Sequence, residues 1–158
     1  MNQPTWIKSF DELVAALQGA NVPHQASAAN QTIEVRTGAA ALGGSLFLRW
    51  ERQLPYVQII QPMIQNVPAA RVPAVEAAIG RLNNVAVLAG LGLDYASNLL
   101  YFRVTARILP PDGLRSDMLQ ALMQGVVVNA GEFLEPLRRV VGGAAGEDVL
   151  SFAKAPGN

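Results

Sequence analysis

A chain of 158 residues in which 51% are hydrophobic and 15% charged is too apolar for intrinsic disorder and fits one domain. Its formal net charge of zero excludes bulk attraction to nucleic acid or anionic membrane, leaving only local patches, and offers little self-repulsion against association. With no cysteine, disulfides and thiolate metal sites are ruled out.

The first predicted element is a helix. Phe10, Leu13, Val14 and Leu17 fall on one helical face, Ser9 and Glu12 form a capping-box pattern, and Gly19 is a fitting stop. The polar stretch "ANVPHQASAANQ" reads as a connection. Three strands are then expected. "QTIEVRT" (31–37) alternates; "SLFLRWER" (45–52) and "YVQIIQ" (56–61) form a hairpin around Leu54-Pro55. Three prolines in "QPMIQNVPAARVP" predict irregular chain, and Pro73 opens a second helix lined by Val75, Ile79 and Leu82 and ended by Asn83-Asn84.

"VAVLAGLGLD" (85–94) is apolar on both faces, which predicts a central strand, and Gly90 and Gly92 within it predict close approach of another element. Tyr95 to Asn98 make a turn. "LLYFRVTARI" (99–108) returns as its partner, with Leu100, Phe102, Val104, Ala106 and Ile108 on one face. A last helix, N-capped by Ser116, keeps its spacing from Leu119 to Val140, with a bend or break expected near Glu135-Pro136 because an interior proline costs about 3 kcal/mol. The Gly- and Ala-rich end from Gly142 is expected to fray. The expected fold is α+β, in the order α-β-β-β-α-β-β-α. Its mostly antiparallel five-stranded sheet packs with helices in a single domain over 1–158, with a core at about 9–141 and a flexible tail at 142–158.

Reactive groups are few. "MNQPTWIKSFDEL" has no basic segment followed by an apolar one, so no signal peptide is expected, and "VAVLAGLGL" is about half a membrane span; a cytoplasmic protein without membrane contact is the expectation. His24 is the sole histidine and reads as a solvated loop residue; one histidine without cysteine builds no metal cluster. The carboxylate pairs Asp11/Glu12, Glu132/Glu135 and Glu147/Asp148 read as helix-turn or solvated charges, and Asp94 as turn chemistry with Ser97 and Asn98. Gly43-Gly44 reads as a turn. No phosphate-cradling glycine loop and no nucleophile elbow is present. No enzyme and no cofactor are therefore expected.

What stands out is the second face of the predicted sheet. Arg36, Phe47, Arg49, Tyr56, Tyr101, Arg103 and Arg107 can share it, and aromatics interleaved with arginine suit a protein interface or single-stranded nucleic acid. An ordinary solvated face, or one covered by a helix, is the plainer reading. The candidate partner-binding residues are Phe47, Arg49, Tyr101, Arg103 and Arg107.

Three segments resemble the YbjN-like family, whose fold is shared with type III secretion chaperones. "VEAAIGRLNN" looks like its second helix with a leucine-asparagine end, and "LGLDYASNLLYFRVTARILPPDGL" like its strand pair. "LQALMQGVVVNAGEFLEPLRRV" looks like its last helix, with Pro136 after Phe133; the resemblance covers roughly 9–141. Secretion chaperones are usually acidic and this chain is neutral, which favours the YbjN-like grouping. The resemblance implies a bacterial, non-enzymatic homodimer that binds another protein in a chaperone-like or regulatory role. A nucleic-acid-associated factor using the arginine-aromatic face is the alternative, and a small-ligand sensor a third.

Overall fold

The computed structural model describes residues 5–153. Strands β2 (His24–Ser27), β3 (Thr32–Arg36), β4 (Ser45–Trp50), β5 (Tyr56–Ile64), β6 (Leu91–Asp94) and β7 (Leu99–Arg107) form one antiparallel sheet in the order β2-β3-β4-β5-β7-β6. Two short strands, β1 (Trp6–Ile7) and β8 (Leu114–Arg115), pair separately. Because side chains alternate along a strand, Ile33, Val35, Leu46, Leu48, Val57, Ile59, Leu100 and Phe102 all turn to one face and are buried there. The buried sides of α1 (Phe10–Gly19), α2 (Val72–Val85) and α3 (Ser116–Val141) join that face in one core. The α+β class holds, and the predicted hairpin is the β4–β5 pair.

Four expectations need correction. The sheet has six strands rather than five, because β2 lies inside the stretch read as a connection. It lacks apolar alternation, being an edge strand held by backbone pairing to β3, and it carries His24, so that histidine is not on a loop. The Nδ1 of His24 lies 2.7 Å from the Val22 carbonyl. Second, β5 continues through Pro62 to Ile64. Its pairing with β4 ends at Ile60, so the proline sits where one side of the strand is free, and the register with β7 shifts between Pro62 and Ile64.

Third, the 85–94 run is not a central strand. Val85 closes α2, which passes through both asparagines, residues 86–90 form a loop, and only Leu91–Asp94 pair, at the sheet edge. Apolar content marked the run as buried on both sides, yet Val87 is 90% exposed. The glycines behave as expected: a Cβ on Gly90 would lie 2.4 Å from the Arg103 carbonyl oxygen, and one on Gly92 would lie 2.7 Å from the Tyr101 ring.

Fourth, α3 is unbroken across its 26 residues, with Pro136 buried inside it. Its N-cap is Arg115, while Ser116 accepts a hydrogen bond from the Thr5 N–H at 3.0 Å. Beyond it, the stretch expected to fray is packed as far as Ala153. A 3₁₀ turn at Gly146–Asp148 and helix α4 (Val149–Phe152) lie against α2, with Val149 fully buried. Residues 154–158 lie outside the described part of the chain.

At the first helix, Ser9 Oγ accepts from the Glu12 N–H at 3.2 Å, while the Glu12 carboxylate accepts from the Lys8 N–H at 2.6 Å, one residue before the cap. Gly43 and Gly44, both left-handed, make the turn into β4. Among the described residues one polar side chain lies within the core: Gln61 donates from Nε2 to the carbonyls of Leu42 (3.1 Å) and Ser45 (3.0 Å), tying that turn to β5.

Candidate partner-binding face

The register assembles the opposite face of the sheet row by row. Glu34 stands opposite Phe47, Phe47 opposite Ile60, and Ile60 opposite Arg103, so these four form one line across β3, β4, β5 and β7. Next to it run Thr32, Arg49, Gln58 and Thr105. Arg36 is paired with Ser45, Tyr101 lies between Pro62 and Gly92, and Tyr56 faces Arg107. Strands lie about 4.8 Å apart, so each line is a row of touching side chains.

All five candidate residues, Phe47, Arg49, Tyr101, Arg103 and Arg107, are therefore on this one face, together with Arg36 and Tyr56. Arg36, Arg49, Arg103, Thr105 and Arg107 are exposed, whereas Phe47, Ile60 and Tyr101 are half-buried among their neighbours. Phe47 and Ile60 do not belong to the core. The face is open to solvent, and the helices cover the other side. Ile60 and Glu34 belong to its middle as well; an alternation pattern in β3 and β5 points to them, but only the register puts both beside Phe47.

The charges are partly matched. Arg49 Nε lies 3.1 Å from Glu51 Oε1, which also accepts from Gln58 Nε2 at 3.1 Å. Ser45 Oγ donates to Glu34 Oε1 at 2.6 Å. The Arg103 guanidinium lies 5.5 Å from the centroid of the Tyr101 ring, a cation–π contact that holds two candidate residues as a unit. Among the described residues, Arg36, Arg103 and Arg107 make no ion pair with a carboxylate. The face thus has an apolar Phe47–Ile60 centre with Glu34 beside it, and a margin in which arginines outnumber carboxylates.

Other polar clusters are explained locally. Asp94 accepts from Ser97 Oγ at 2.6 Å and from the Ala96 N–H at 3.1 Å, and these bonds, the hydroxyl first, hold its carboxyl below the ordinary 3.8. Asp117 is lowered by its bond to Arg115, and the Tyr95 hydroxyl is raised by its bond to Glu76. Among the described residues no group of three His, Asp or Glu side chains could hold a metal ion, and no helix is long and apolar enough to cross a membrane.

No protein-family model matches the chain, and no curated protein matches it by sequence. Among solved structures it is similar to YbjN from E. coli, a candidate transcription regulator, with 12% identity and a TM-score of 0.61 over 83% of this chain and 92% of that one. The fold is YbjN-like.

Proposed function

From a YbjN-like fold with one sheet face left open, we propose that this protein is a non-enzymatic binding module that docks a partner protein on that face, in a regulatory or chaperone-like role in the cytoplasm. The observation that carries the reading is the half-buried Phe47–Ile60 pair at the centre, bordered by Glu34, Arg49, Tyr101 and Arg103, with Arg107 two rows further along β7. Protein interfaces have this anatomy, an apolar centre inside a polar rim rich in arginine and tyrosine. Glu34 and Glu51 stand on or beside the same face and would repel a phosphate backbone, which favours protein over nucleic acid. The proposal includes a homodimer: α3 exposes Met118 (52%), Ala121 and Val128 (52%) along one uncharged stripe that a second copy can cover.

The test is affinity capture from the native host with the full chain and with a Tyr101→Ala/Arg103→Ala variant, read by mass spectrometry. A partner held by the face should lose about 2 kcal/mol or more of binding to the variant if either side chain is a central anchor. It should survive a rise from about 50 to about 200 mM salt, which would strip a phosphate-bound ligand by orders of magnitude. Capture that ignores the double substitution, or a single-stranded oligonucleotide bound with steep salt dependence, would overturn the reading.

A further inference from the structure

The pairing between β6 and β7 stops halfway along β7. Its last registered pair is Leu91 with Phe102, and one further bond, from the Arg103 N–H to the Gly90 carbonyl at 2.8 Å, closes it. On its other side β7 stays paired with β5 as far as Tyr56 opposite Arg107. Backbone N–H and C=O groups of alternate strand residues point to opposite sides. Arg103 turns its N–H towards β6, and Ile108 turns its own the other way, to the Pro55 carbonyl at 2.7 Å. Thr105 and Arg107 must therefore present their backbone groups on the β6 side, where no strand lies. Before Gly90 the chain is a loop rather than a strand, and between it and β7 lies an open notch of about 510 Å³, lined by half-buried Leu88 and Val104, by Thr105 and by exposed Val87.

We propose that this notch receives an extended segment of a partner protein, added to β7 in line with β6, whose side chains alternate between acidic and small apolar. The unsatisfied backbone row selects an extended chain, since only a strand offers donors and acceptors at that spacing. Arg103 and Arg107 flank the row on the open face, two residues either side of Thr105, without carboxylate partners among the described residues, and they select acidic side chains. Val104 and Leu88 select apolar ones on the alternate positions. The other sheet edge differs. There, β2 offers only Gln25 and Ser27 on the open side, opposite Glu34 and Thr32, and selects no acidic strand. The proposal rests on the protein-binding reading and narrows its partner to a defined chemistry.

It is tested with the isotope-labelled full chain titrated with two short capped peptides, one alternating glutamate and valine, the other lysine and valine. The glutamate peptide should shift the amides of 103–107 and slow hydrogen exchange at Thr105 and Arg107 about tenfold or more. An Arg103→Ala/Arg107→Ala variant should bind it about tenfold or more weakly, each decade being about 1.4 kcal/mol. Thr105→Pro, checked for folding by circular dichroism, removes the donor in the notch and should abolish binding, while Gln25→Ala on the opposite edge should leave it unchanged. Equal binding of the lysine peptide, shifts centred on Phe47 and Ile60, or no shift at 103–107 would overturn the proposal. So would protection of both amides in the free protein that grows with its concentration, because a second copy would then occupy the notch. If capture from the host is lost with a Phe47→Ala variant while the peptide fails, the notch falls alone. Should the peptide bind while capture ignores Phe47→Ala, the open-face reading falls instead.

Discussion

Asn83 closes the approach to β6 with one amide. Its Oδ1 accepts from the N–H groups of Gly90 (3.1 Å) and Leu91 (3.0 Å), and its Nδ2 donates to the Leu91 carbonyl at 3.0 Å. The side chain thus takes the place of a neighbouring strand at the edge, while Leu82 beside it is fully buried in the core. Replacing Asn83 by alanine leaves three partly buried backbone groups without partners and should cost about 2–3 kcal/mol. Asn83→Asp keeps both acceptors but sets a carboxylate oxygen against the Leu91 carbonyl, so its loss should be smaller than alanine's only at a pH low enough to protonate it and restore a donor. Urea denaturation at that pH with an unchanged slope would confirm the order, and equal losses would refute it. The leucine-asparagine pair is plain in the sequence, where it reads as a helix end. Its actual role depends on the chain returning seven and eight residues later, which local spacing does not disclose.

At the scale of elements, the surprise is the end of the chain. Arg71, just before α2, donates from Nε to the Val140 carbonyl at 3.0 Å, which also accepts from the Gly143 N–H, and it reaches the Ala144 carbonyl, tying the end of α3 and the chain after it to α2. Gly146 then approaches α2 so closely that a Cβ would lie 2.0 Å from the Ala74 carbonyl oxygen. The Arg139 guanidinium covers the Phe152 ring at 5.3 Å. Gly146→Ala should therefore push the 146–152 segment off α2 and cost about 1–3 kcal/mol, the range for an overpacked contact. Amide exchange at Val149 to Phe152 should rise with it; unchanged exchange would mean that the segment is held elsewhere. Composition alone suggested fraying, because Gly and Ala carry little apolar area. What seats this segment is backbone contact, and glycine is the residue that permits it.

For the whole molecule, the proposed homodimer is the sharpest question. Light scattering at micromolar concentration should give about twice the 16.8 kDa chain mass if the interface clears roughly 1,000 Å². A Met118→Glu/Val128→Glu variant should return it to a monomer with its fold intact, since both positions are about half exposed. A wild-type monomer over a wide concentration range would remove the dimer from the proposal without touching the sheet face, which lies on the other side of the sheet from the core that α3 helps to form.

Periodicity was enough for the elements that bury one face. The alternation in β3, β4 and β7 and the 3.6-residue spacing in α1 and α3 are imprints of a one-sided core, so they could be read along the chain. The same alternation put Phe47, Arg49, Tyr101, Arg103 and Arg107 on the second face. Whether they stood together, and whether a helix lay over them, depended on strand order and register, which are set by contacts far apart in sequence. Strand β2, the edge position of β6 and the seat of the last helix were decided in the same way. Each is held by backbone groups and single side chains meeting across long separations, and such contacts leave no period in the sequence to read.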